Sequence, residues 1–180
     1  MTDDELMIRL QKGDQRAFQS LFDRHANRVL GYSARMLGDL SKAEDVAQDA
    51  WIRVVRFAEN YEGKGQFKAW LMTLTRNAAL NHLRRQSRWN TEVGQENEVT
   101  LNKEDLTPVQ IEEELDRKGQ LEEVKKAIDA LPNNQRVALV MYMTEDMSYE
   151  EIGKEMDLSL GAIKSLIFRA RKTLEQVLEQ

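Results

Sequence analysis

The chain has 180 residues, 41% of them hydrophobic and 32% charged, with a net charge of −5 and no cysteine. That length allows one large or two small domains with real cores, and the missing thiols exclude disulfides, thiolate zinc sites and redox sensing. No apolar run approaches the roughly 20 residues of a membrane helix, and the acidic opening MTDDELMIRL lacks the basic region of a signal peptide, so the expected setting is cytoplasmic.

Helical periodicity runs almost throughout, with no convincing period-2 strand. Thr2-x-x-Glu5 is a capping box opening a short helix with Leu6 and Leu10 inward. Gly13 ends it and Asp14 caps the next, where Phe18, Leu21, Phe22, Val29, Tyr32 and Met36 recur at three- and four-residue steps up to Gly38. Ser41-x-x-Glu44 reads as another capping box, followed by a stripe of Ala43, Val46, Ala47, Ala50, Trp51, Val54 and Ala58. The loop AENYEGKGQ, with two glycines, leads to a fourth helix. That helix turns Phe67, Trp70, Leu71, Leu74 and Ala78 inward and ends in a basic run from His82 to Arg88. Residues 1–88 therefore predict a four-helix bundle.

Residues 89–107 lose all periodicity and turn polar and acidic, which predicts a flexible linker. Helix resumes at Thr107-Pro108-x-Gln110, with proline at the first helical position. Ile111, Leu115, Val124, Ile128 and Leu131 continue it as a stripe that Gly119 can interrupt. Pro132 punctuates, and Val137, Ala138 and Met141 carry a further helix. The predicted fold class is all-α: two small helical domains, 1–88 and 108–180, joined by the acidic linker.

The end of the second domain is the most informative stretch. Ser148-x-x-Glu151 caps a helix from about Tyr149 to Met156, a tight turn follows, and Ser159 can cap a second helix. Wound at 100° per residue, that helix buries Ile163, Ile167, Ala170 and Leu174. Gly161, Lys164, Ser165, Phe168, Arg169 and Lys172 then face out, with Arg171 at the margin. This is the spacing of a helix-turn-helix, which sets its second helix in the DNA major groove. Small residues early and cations late suit base approach followed by phosphate anchoring. A solvated amphipathic terminal helix is the plainer alternative.

Two more surfaces stand out. The third helix carries Asp45, Gln48, Asp49, Ile52 and Arg56 on its outer face, either a docking spot for a basic partner or one stray exposed isoleucine. The fourth presents Arg76, Asn77, Asn81, His82, Arg84, Arg85 and Arg88 behind a loop with Tyr61, Lys64 and Lys68. Cations, amides and aromatics together can grip backbone and hold unpaired bases, while a basic helix end favoured by the macrodipole explains the arginines alone. Catalytic patterns are thin. His25 and His82 lie on separate helices without HExxH, and no GxxxxGK[ST] loop exists, so no metal, cofactor, small-molecule substrate or enzymatic activity is expected.

The charge is uneven. Residues 1–90 hold 15 Lys/Arg against 11 Asp/Glu, residues 91–120 hold 3 against 9, and residues 121–180 hold 8 against 11. Phosphate neutralisation supplies most non-specific DNA affinity, so the free chain is expected to bind DNA poorly and to need a larger partner.

Four strings carry a resemblance: KAEDVAQDAWIRVVR (42–56), FKAWLMTLTRNAALNHLRR (67–85), ALPNNQRVALVMY (130–142) and SYEEIGKEMDLSLGAIKSLIFRARKTL (148–174). In this order they resemble a bacterial sigma factor of the extracytoplasmic-function group of the sigma-70 family. The resemblance implies that the chain binds core RNA polymerase, directs it to promoter DNA and helps open the duplex. It implies docking of Asp45, Gln48, Asp49 and Ile52 on the clamp of the largest catalytic subunit. Tyr61, Lys64, Phe67, Arg76, Asn77, Asn81, Arg84 and Arg85 would take the minus-ten element. Gly161, Lys164, Ser165, Phe168, Arg169 and Lys172 would take the minus-thirty-five element. It also implies an inhibitory anti-sigma partner, and a linker threaded near the polymerase active-site and RNA-exit channels.

The chain departs from the family pattern in three places. Asp157 stands where the turn commonly has glycine, which requires a left-handed residue there. Ser159-Leu160-Gly161-Ala162 replaces a Ser-Glu-Gly-Thr-like run, and Leu166 replaces an arginine, on the flank of the buried stripe. Two other readings compete: a self-sufficient helix-turn-helix regulator with a sensing or dimerising bundle, and a decoy that occupies polymerase without reading DNA.

Overall fold

The computed structural model describes residues 1–85 and 121–178. Among these there are eight α-helices, one 3-10 turn and no strand. The helices are α1 (Asp3–Gln11), α2 (Gln15–Leu37), α3 (Leu40–Arg56), α4 (Phe67–Arg85), α5 (Leu121–Ala130), α6 (Asn133–Glu145), α7 (Tyr149–Met156) and α8 (Leu160–Leu178), with the 3-10 turn at Ala58–Asn60. The fold is all-α in two compact units, Met1–Leu83 and Arg84–Gln180. The expected linker at 89–107, the restart at Thr107, and Arg88, Ile111, Leu115 and Gly119 lie outside the described residues. No described helix is long and apolar enough to cross a membrane.

In the first unit the capping signals become bonds. Thr2 Oγ1 accepts from the Glu5 N–H at 3.2 Å, and the Glu5 carboxylate accepts from the Thr2 N–H at 2.7 Å. Asp14 caps α2 by accepting from the Arg16 N–H at 3.0 Å. Gly38 ends α2 in the left-handed region, its N–H reaching the Ala34 carbonyl at 2.8 Å. The start of α3 differs from expectation. Asp39, extended and two residues before Ser41, accepts from the Lys42 N–H at 3.2 Å, so Ser41 sits inside the first turn and Ser41-x-x-Glu44 is not the box.

The core gathers Leu6 and Met7 of α1, Ala17, Leu21 and Val29 of α2, Ala50, Trp51 and Val54 of α3, and Phe67 and Leu71 of α4. Phe18 meets the Trp51 ring edge-on at 5.8 Å. Phe22 is half-exposed at the margin yet packs on the same indole at 5.1 Å. Truncating a buried leucine such as Leu21 to alanine costs about 2–5 kcal/mol in sites of this kind.

In the second unit α8 packs across α5, α6 and α7. Its Ile163, Ile167, Ala170 and Leu174 are buried, as the wheel predicts, and Leu166 joins them. A buried guanidinium staples α5 to α6. Arg136 Nη1 donates to the Asp129 and Leu131 carbonyls at 3.0 and 2.9 Å, and Nη2 donates to Asn133 Oδ1 at 2.6 Å. Those carbonyls sit at the end of α5, where intrahelical partners run out.

Candidate nucleic-acid interface

The helix-turn-helix is held by bonds between near neighbours. Ser148 Oγ accepts from the Glu151 N–H at 3.2 Å while Glu151 accepts from the Ser148 N–H at 2.8 Å, completing the box. Asp157 ends α7 with φ 58°, the left-handed conformation that its place in the turn requires. The turn folds back tightly: the Leu158 N–H donates to the Gly153 carbonyl at 2.9 Å, and a Cβ at Gly153 would lie 2.9 Å from the Leu158 oxygen. Ser159 Oγ then accepts from the Ala162 N–H at 3.2 Å, opening α8.

On α8, Lys164, Phe168 and Lys172 are exposed and Gly161 and Arg169 half-buried, giving a face with cations, a small residue and a ring. Ser165 departs from the wheel. It is only 1% exposed, and its hydroxyl has no hydrogen-bond partner among the described residues. Arg171, expected at the margin, is buried. Exposed Glu150 and Asp157 stand on neighbouring α7 and the turn after it, so the face is not purely basic.

The outer face of α3 exposes Asp45 and Gln48, with Asp49 half-buried and accepting from Arg53 Nε at 2.9 Å. Ile52 is 53% exposed and Val55 52%, two apolar residues on successive turns of a helix whose other face is core. Val55 was the missed member; its place three residues after Ile52 was the available signal.

The third surface lies around the loop 61–66 and the second half of α4. Lys64, Lys68, Arg84 and Arg85 are exposed, and Asn77, Asn81 and His82 are half-buried. Tyr61, Phe67 and Arg76 lie underneath instead. Tyr61 is 7%, Phe67 2% and Arg76 8% exposed. Tyr61 packs against Trp70 at 5.2 Å and Phe67 at 6.0 Å, so these rings form the floor below the loop. Burial first, then the hydrogen bond to the Asp4 carboxylate, pushes the Tyr61 phenol up to about 12. Arg76 is buried because α4 has buried positions on two sides: Leu71, Thr75 and Ala78 on one, Arg76, Leu80 and Leu83 on the other. A wheel with one stripe misses the second.

Two family descriptions match this chain, Sigma-70 region 2 over residues 21–88 and Sigma-70, region 4 over residues 121–174. Helix α1 thus lies ahead of the first match. The RNA polymerase sigma-H factor of Pseudomonas aeruginosa is 32% identical, covering 98% of this chain and 94% of its own. The ECF RNA polymerase sigma-E factor of Escherichia coli K12 is 33% identical, covering 97% and 93%. Among solved structures, the sigma factor RpoE of Bartonella quintana, crystallised with the anti-sigma factor NepR, shares the fold. It matches with a TM-score of 0.54 at 24% identity over 90% of this chain and 96% of that one.

Proposed function

The chain belongs to the sigma-70 family, in its extracytoplasmic-function group, and from that premise we propose how its two helical units divide the work of promoter recognition. It is an RNA polymerase sigma factor: its partners are core polymerase and promoter DNA. Asp45, Gln48, Asp49 and Ile52, with Val55 added, dock on the clamp of the largest polymerase subunit. An apolar centre with a polar rim is the usual anatomy of a protein interface. Lys64, Asn77, Asn81, Arg84 and Arg85 face the minus-ten element, with Tyr61, Phe67 and Arg76 shaping the surface from below. Flipping a base from the stack costs a few kcal/mol, which a fitted protein surface offsets. Gly161, Lys164, Phe168, Arg169 and Lys172 meet the minus-thirty-five element, while Ser165 packs inward.

The observation that carries this division is the Ile52–Val55 pair, exposed on a helix whose opposite face is committed to the core. The chain catalyses nothing itself, works in the cytoplasm, and is held by an anti-sigma protein until needed. A stand-alone regulator is disfavoured by the net charge of −5, since phosphate neutralisation dominates autonomous DNA affinity.

The test combines purified chain, core polymerase and a promoter library randomised in both elements. Specific initiation with polymerase, and weak duplex binding without it, is the expected result; tight specific binding by the chain alone overturns the reading. Ile52→Asp should weaken polymerase binding by about 30-fold or more, the loss of a central interface anchor, with the melting temperature unchanged. Unaltered affinity removes the α3 surface.

A further inference from the structure

The loop 61–66 connects the 3-10 turn to α4, and Gly63 and Gly65 take left-handed backbone there, φ 66° and 72°. Helix α1, distant in sequence, holds this loop at both ends. One oxygen of the Asp4 carboxylate accepts from the Tyr61 hydroxyl and the other from the Gly65 N–H. Two turns along the same helix, Gln11 Nε2 donates to the Ala58 and Tyr61 carbonyls, each at 2.9 Å. Helix α1 is itself pinned. Leu6 and Met7 are buried in the core, and Asp3 meets Arg24 Nη1 at 2.9 Å and His25 Nε2 at 2.8 Å. Between these ties the loop exposes Glu62 and Lys64, with Gln66 exposed just beyond.

We propose that Asp4 and Gln11 are positioning residues for promoter opening: they preset the loop 61–66 in the shape that meets single-stranded minus-ten DNA. The inference rests on the assignment of that loop to the minus-ten element. Ordering a loop at the moment of binding costs conformational entropy, and a loop already held avoids that cost. A helix-dipole role alone does not explain Asp4, because Asp3 and Glu5 share the same first turn. Nor does core packing explain Gln11, whose bonds go to backbone carbonyls of the turn and loop.

Three variants separate the ties. Asp4→Asn keeps the size but removes the charge that strengthens both bonds, and it leaves one accepting oxygen for two donors, so the Tyr61 hydroxyl stays paired only by accepting from the new amide. Tyr61→Phe removes only the hydroxyl arm and leaves α1 untouched, so it decides the matter where Asp4→Asn unfolds. Gln11→Ala removes the second tie. In holoenzyme on the randomised library, each should lower initiation from the preferred minus-ten sequences by about fivefold or more, as expected for a lost hydrogen bond. Minus-thirty-five preferences and polymerase affinity should stay as in the parent. Amide exchange at Gly65 should accelerate in Asp4→Asn. An unchanged minus-ten profile in variants with accelerated exchange overturns the proposal, as does exchange that stays slow. Failure of the parent holoenzyme to initiate sinks the assigned function, while the exchange measurement still decides whether α1 holds the loop.

Discussion

The first unit ties its exposed loop down with bonds spanning 47 to 61 positions of sequence, from Gln11 to Ala58 and from Asp4 to Gly65. The helix-turn-helix of the second unit closes through bonds between residues three to five apart, Ser148 to Glu151, Gly153 to Leu158 and Ser159 to Ala162. The two surfaces proposed to meet DNA therefore depend on different parts of their domains. Helix α8 needs its own turn and the core beneath it. The loop 61–66 needs a helix about 50 residues upstream.

The largest expected effect tests whether the second unit stands alone. Arg136→Ala leaves two carbonyls and an amide oxygen without their donor and should cost about 3 kcal/mol. Calorimetry should show the second unit melting earlier with the first unmoved; a matching loss in the first breaks the comparison. Gly153→Ala forces a methyl against the Leu158 oxygen, 2.9 Å away. It should destabilise the helix-turn-helix by about 1–3 kcal/mol, read as lost helicity on mild denaturation.

Recognition itself sharpens the contrast. Arg169→Ala should weaken minus-thirty-five selection by roughly 1–3 kcal/mol if it meets a base edge bidentately, measured on holoenzyme with minus-thirty-five variants. Alkaline titration probes the first unit. The neutral Tyr61 phenol is the form the fold favours, its ionisation raised from 10.0 to about 12. Its contribution to stability is therefore complete below pH 10 and lost as pH rises through about 12. Ultraviolet absorbance should find a late tyrosine, assigned to Tyr61 by its loss in Tyr61→Phe, that moves toward 10 in Asp4→Ala; no movement removes Asp4 as a cause. Smallest of all, Ser165→Ala should change minus-thirty-five selection not at all and stability by no more than about 0.5 kcal/mol, because its buried hydroxyl makes no bond to any described residue.

Much of the fold was legible in order. Boxes at Thr2 and Ser148, the glycine stop at Gly38 and the buried stripe of α8 are local patterns, written within one or two turns, and all appear in the structure. The start of α3 was misread because Asp39 and Ser41 are both capping residue types, and only backbone conformation chooses between them. Among the site residues, exposed positions on singly buried helices, such as Ile52, Lys164 and Phe168, followed from periodicity. The burial of Phe67 followed from the same periodicity. That of Tyr61, Arg76 and Ser165 did not, since each carries surface-compatible chemistry and yet lies under a neighbour.

The chain by itself determined which segments are helical, where most of them start and stop, and which face of α3 and α8 carries an exposed apolar or basic group. Those properties follow from spacing and capping chemistry that act over a few residues. Tertiary structure alone decided that the Tyr61 ring at the head of the loop becomes part of its floor, that a guanidinium closes α5 onto α6, and that α1 grips the loop 61–66. Each of those depends on which distant groups packing brings within hydrogen-bond reach, and no local pattern in the sequence encodes that distance.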